Sequence, residues 1–98
     1  MFKLSKDLEE AIEKILVVST CHITEEEDNF LNKNTKFKDP WSFILYISAE
    51  ETDLYEKNYL GGHKNLIKIT SLARQLDCQW VKIDADGKVF DFLDIYEW

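Results

Sequence analysis

Four neighbouring residues carry groups suited to chemistry. Ser19, Thr20, Cys21 and His22 follow the apolar run Ile15-Leu16-Val17-Val18 and supply hydroxyls, a thiol and an imidazole within four positions. If that run is a strand of a parallel sheet, they stand at the carboxyl edge where ligands of open sheets gather. His22 is the residue best suited to acid–base work, with Cys21 or Thr20 as nucleophile and Asp84 (or Glu50) able to hydrogen-bond the imidazole and fix its tautomer. Cys21 and His22 do not form a thiol–imidazole pair alone, because adjacent residues of an extended chain point to opposite sides. A dyad would need His63, the only other histidine. The same residues also suit a structural part, since Thr20 and His22 can satisfy loose backbone groups where a strand turns into a helix.

Metal and cofactor chemistry find less support. Cys21, His22, His63 and Cys78 show no Cys-x-x-Cys pair or other zinc spacing. Asp84-Ala85-Asp86-Gly87 shares part of a calcium-loop pattern, but with Gly87 at the loop glycine the first ligand would be Lys82 and the bidentate acid Leu93. A hairpin turn at Asp86-Gly87 explains it better, with Asp84 as a brace. There is no Gly-rich phosphate loop, so no cofactor is expected.

Charge narrows the partners. Nineteen acids against twelve bases give a net charge of −7. Direct binding of DNA, RNA or an anionic membrane is therefore disfavoured, because such ligands are held by neutralising phosphates. The partner expected is a protein with a basic surface, met by Glu25, Glu26, Glu27 and Asp28 and by Glu50, Glu51 and Asp53. Trp80 is a candidate anchor, since it shares its strand face with Lys82 and Asp84 rather than with Val81 and Ile83. No apolar run approaches the roughly 20 residues of a membrane crossing. With only two cysteines and no secretory apolar stretch near Met1, a reducing, cytoplasmic setting is expected.

These groups depend on the elements that place them. Ninety-eight residues make a single domain, 1–98. A helix is predicted over 5–14, with Ser5 as cap and Leu8, Ile12 and Ile15 on one stripe. Strands are predicted over 15–20 and 41–48, both apolar on alternating faces and so buried in a covered sheet. Thr24 and Glu27 fit a capping box that starts a short second helix. Residues 49–63 resist assignment, and Gly61-Gly62 ends whatever lies there. An amphipathic helix follows over 64–76, then a strand over 80–84 and its hairpin return over 89–92. The order α-β-α-β-α-β-β predicts an α+β (α/β-like) fold with one sheet of about four strands, partly parallel with a C-terminal antiparallel hairpin. In that topology Cys21 and Cys78 lie at opposite sheet edges, beyond the roughly 7 Å Cα separation of a disulfide.

Three short motifs are similar to those of an uncharacterised family of small bacterial proteins. They are Ser19-Thr20-Cys21-His22 after a strand, Asp84-Ala85-Asp86-Gly87, and Tyr96-Glu97-Trp98. The chain departs from that family in a longer N-terminal helix and in Asp77-Cys78, where a helix-ending Gly is expected. The family is a domain of unknown function met on plasmids, prophages and other mobile elements, so the resemblance implies a setting and no reaction. Setting and charge together suggest a small acidic interaction module that inhibits a host nucleic-acid-processing or defence system, as anti-CRISPR and anti-restriction proteins do, by occupying a basic surface. The alternatives are a small enzyme built on His22 with Cys21 or Thr20, and an antitoxin-like regulatory partner.

Overall fold

The strand Trp80–Asp84 organises the molecule, because it pairs on both sides. The computed structural model describes residues 6–98. In chain order the elements are α1 (Lys6–Glu10), β1 (Ile15–Ser19), a single 3₁₀ turn (Thr20–His22), α2 (Glu25–Asn34), β2 (Lys38–Asp39), β3 (Ser42–Tyr46), a π-helical segment (Leu54–Tyr59), α3 (Lys64–Gln75) and β4 (Trp80–Asp84). The sheet order is β1-β4-β3-β2. β4 pairs parallel to β1 and antiparallel to β3, and β3 pairs antiparallel to β2. The expected α+β class with one four-stranded mixed sheet holds.

Local sequence explains most of these elements. Thr24 Oγ1 accepts from the Glu27 N–H at 3.1 Å while Glu27 Oε1 accepts from the Thr24 N–H at 2.8 Å, the capping box expected for α2. α3 buries Leu66, Ile69 and Ala73 at helical spacing. It ends in a Schellman turn, with the Cys78 N–H on the Ala73 carbonyl at 2.9 Å and the Asp77 N–H on that of Arg74 at 3.0 Å. Asp77 holds the left-handed position, φ 58°, that a glycine usually fills. One face of the sheet, with Val18, Val81, Ile83, Phe43 and Leu45, packs with Ile23, Leu31, Leu66, Ile69 and Leu60 to form the core.

Four expectations need correction. The first helix is shorter than 5–14: α1 stops at Glu10, and the expected cap Ser5 lies outside the described residues. The strands over 15–20 and 41–48 are not covered on both faces. β1 is an outer strand with Ile15 exposed, and Tyr46 of β3 is exposed. β3 runs against β1 and β4 rather than with them, because the short strand β2 intervenes and the chain reverses through Asp39-Pro40-Trp41 before entering β3. Finally, residues 89–92 form no strand. Asp84 does brace the turn at Asp86-Gly87, accepting the Asp86 N–H on Oδ1 at 3.0 Å. The turn then carries the chain across the end of β1, where the Lys88 carbonyl accepts from the Ser19 N–H at 3.0 Å. Gly87 is required there, since a Cβ would stand 2.4 Å from the Val18 carbonyl oxygen.

The two cysteines are free, with Cys21 after the end of β1 and Cys78 before the start of its parallel neighbour β4. No helix among the described residues is long and apolar enough to cross a membrane.

Candidate functional site

The polar edge around His22 is built for structure. His22 is 1% exposed, and both ring nitrogens are engaged by residues 88–98, which cross that end of the sheet as a strap. The Phe90 N–H donates to Nε2 at 2.9 Å, so the proton sits on Nδ1, which donates to the Asp94 carbonyl at 2.9 Å. The Tyr96 N–H donates to the Cys21 carbonyl at 2.8 Å, and Trp98 Nε1 donates to the Ile23 carbonyl at 3.0 Å. The Cys21 N–H is capped by Ser19 Oγ at 3.1 Å. His63, the other histidine, packs its ring on Phe30 with centroids 4.8 Å apart.

The carboxylates expected beside His22 are elsewhere. Asp84 is level with Ser19 in the register, yet it pairs with Lys82 Nζ at 3.3 Å and braces its own turn. Ser48, Glu50 and Glu51 follow the far end of antiparallel β3, so the topology sends them to the opposite edge of the sheet from His22. The convergence of acid, imidazole and nucleophile fails for that reason.

The acidic residues expected to meet a partner also divide. Glu25 and Glu26 are exposed on the first turn of α2, and Asp28 is half-buried there. Glu27 is 2% exposed and spends its carboxylate inside: it accepts from the Thr24 N–H, from the Asn65 N–H at 3.0 Å and from Asn65 Nδ2 at 2.8 Å. Tyr96 Oη closes this network against Asn65. Glu27 therefore ties α2, α3 and the strap together and is not offered to a partner. Beyond β3, Glu51 pairs with Arg74 at 2.9 Å and Asp53 with Lys57 at 3.9 Å, while Glu50 is exposed.

Trp80 is where the expectation of an anchor meets a built surface. The register puts Ile15, Trp80 and Tyr46 in one row across the sheet face turned from the core. Val17, Lys82 and Ile44 make the next row, and Ser19, Asp84 and Ser42 the third. Phe37 extends the middle row, its carbonyl accepting from the Ile44 N–H at 2.8 Å. The Trp80 indole is edge-on to Tyr46 at 5.7 Å and to Phe37 at 6.4 Å between centroids, and its Nε1 donates to Glu13 at 3.0 Å. Between Ile15, Phe37, Ile44 and Trp80 lies a shallow apolar depression of about 290 Å³. Ile15 is 45% exposed and Phe37 60%. Sequence reasoning found Trp80 and missed Phe37, Tyr46, Ile15 and Val17. The signal for Ile15, Val17 and Tyr46 was their alternate positions in β1 and β3, read as burial rather than as a face left open, and Phe37, just before β2, had none.

One edge of that face is closed with side chains. The Tyr46 N–H donates to Tyr59 Oη at 2.9 Å, and Tyr55 Oη donates to the Tyr46 carbonyl. The two phenol rings stack at 5.2 Å, 15° from parallel. They occupy the polar groups of β3 that short β2 does not reach. Burial, and secondarily Tyr59, push the Tyr55 hydroxyl up to about 12. The opposite edge, β1, has no strand beyond it among the described residues.

No curated protein and no solved structure matches the chain. Residues 15–98, from the first residue of β1 through the strap, match the model of the C-terminal domain of a family of unknown function (DUF5983), and the chain belongs to that family.

Proposed function

We propose that this domain is a protein-binding module and that the open sheet face is the surface it binds with. The occupant is an extended apolar segment of a partner protein, laid along β1 and over Trp80, with basic residues at its flanks. The observation that carries this reading is the cluster of Trp80, Phe37 and Tyr46 on the sheet face turned from the core, beside the outer strand β1, which has no strand beyond it among the described residues. Exposed outer strands are commonly blunted by charge or proline. Here Ile15 and Val17 turn apolar side chains outward instead. Strand addition would use the backbone of β1 for affinity and the face for specificity, with tryptophan and tyrosine as the side chains that most often dominate such contacts. Glu13 at one end of the face and Asp39 and Asp84 at the other favour a basic flank on the segment.

A nucleic-acid-handling host enzyme is one protein with such flanks, and binding it would make the chain an inhibitor of the anti-CRISPR or anti-restriction kind. The net charge of −7 supports that finer form. An antitoxin-like regulatory part would use the same face. The enzyme reading loses its support, because both nitrogens of His22 serve the backbone. The test is affinity capture from the native host with the unaltered chain, Trp80→Ala and Val17→Lys, read by mass spectrometry. A protein retained by the unaltered chain and lost with both variants, while their thermal unfolding stays close to that of the parent, is the expected result. A protein retained equally by all three would overturn the assignment of this face.

A further inference from the structure

A second surface lies on the helix side of the sheet, away from Trp80. It is a cleft of about 250 Å³ between the Asp28–Asn32 side of α2, the start of β3 and the end of the strap. Asp28, Asn32 and Thr20 give its polar lining, and Phe43, Trp41 and Trp98 its aromatic lining. We infer that this cleft binds an organic cation, an ammonium or guanidinium group whose charge meets Asp28 and whose alkyl or planar flanks lie against the two indoles. This reading stands apart from that of the open face and shares no residue with it.

Each part of the lining favours that chemistry. Trp41 is 68% exposed and Trp98 55%, and neither is left so by a loose backbone. Trp98 is held by Nε1 on the Ile23 carbonyl. The Trp41 N–H is on Asp39 Oδ1 at 2.8 Å, and its carbonyl accepts from the Ala85 N–H at 2.8 Å. Tryptophan has the ring face that attracts a cation most strongly. Asp28 has no ion pair among the described residues. Among the described residues the one hydrogen bond to its carboxylate is a 3.3 Å contact from Asn32 Nδ2. The nearby Lys38 spends its ammonium on the Asn32 carbonyl. Burial, then the charge of Glu25, hold the Asp28 carboxyl above its ordinary range, a cost that a bound cation would relieve.

Other ligands fit less well. A neutral apolar group would bury the carboxylate without a partner, and an anion would meet both Asp28 and Glu25. A hard metal ion needs several oxygen ligands, and the described residues offer no group of three acids, histidines or cysteines that could hold one. The volume lies below the roughly 300–1,000 Å³ of most cofactor and drug-sized sites, which suits a side chain or a small cationic head group.

The cation could be a lysine or arginine of a protein, or a free small molecule, and one experiment separates them. The indole N–H resonances of the intact chain are followed by NMR while choline, its neutral isostere 3,3-dimethylbutanol, or short acetylated peptides holding one lysine or one arginine are added. The cations should move the Trp41 and Trp98 signals and leave Trp80 still, and the neutral isostere should move none. Asp28→Asn and, separately, Trp41→Leu should weaken binding by roughly fivefold or more. Tighter binding of the peptides points to a protein source, tighter binding of choline to a small molecule, and either supports the cation site. Equal response to the neutral isostere, unchanged affinity in a folded Asp28→Asn variant, or no response to any cation would overturn it. The comparison of charged and neutral probes on the unaltered chain decides even where a variant does not fold.

Discussion

A neutral imidazole has one donor and one acceptor, and at His22 the chain uses both on its own backbone, at Asp94 and Phe90. Removing that ring takes the partner from the half-buried Phe90 N–H and from the Asp94 carbonyl and leaves a void where the buried imidazole stood. His22→Ala should therefore lower stability by about 2–4 kcal/mol. His22→Gln keeps a donor and an acceptor and should lose less, about 1–2 kcal/mol. Urea unfolding of the two variants checks the order, and an Ala variant as stable as the parent would remove the strap function. Tyr55 gives a second test at this scale. Its hydroxyl is pushed from 10.0 up to about 12 in the folded chain, so folding favours the neutral phenol. The contribution is complete below about pH 10 and is lost as pH rises through about 12. Tyrosinate absorbance should show a late phase near the upper value, and Tyr55→Phe should abolish that phase while leaving the others.

At the scale of elements, what could be read in the sequence had a local cause. The strand Trp80–Asp84 appears with the bounds expected, and α2 starts at the expected Thr24–Glu27 box, because alternation and capping are fixed by neighbours. The direction of β3 had no such cause. It depends on β2, two residues long, too short to leave a period in the sequence. That one short strand reverses β3 and sends Glu50 and Glu51 away from His22. The Asp86-Gly87 turn was equally visible, but turn chemistry does not say where the chain goes next, and Gly87 is spent on close passage over β1. α3 offers a prediction of this kind. Asp77 sits at φ 58° in its Schellman turn, where a side chain is strained and glycine is not. Asp77→Gly should raise stability by about 0.5–1 kcal/mol, seen as a higher midpoint of thermal unfolding. A lower midpoint would mean that the Asp77 side chain contributes more than its backbone costs.

Across the whole molecule, charge and apolar surface are laid out differently, and that difference decides how binding should respond to salt. Glu25 and Glu26 stand where α2 leaves the carboxyl end of β1, while Glu50, Glu51 and Asp53 follow the end of antiparallel β3. Two of the second group are already paired, with Arg74 and Lys57. These two groups of acids thus leave opposite ends of the sheet and do not form one plate. The aromatic cluster does form one surface, with Trp80 at its centre. Affinity for the captured partner should therefore rest on that face, and Trp80→Ala should weaken it by about 2 kcal/mol or more, roughly thirtyfold. Raising salt from low to physiological screens exposed charges over about 8–10 Å. It should slow association several-fold, as should reversal of Glu25 and Glu26 to Lys, with dissociation nearly unchanged. Surface plasmon resonance at two salt concentrations measures both rates. A steep loss of affinity with salt, combined with a harmless Trp80→Ala, would transfer the binding from the open sheet face to the acids of α2.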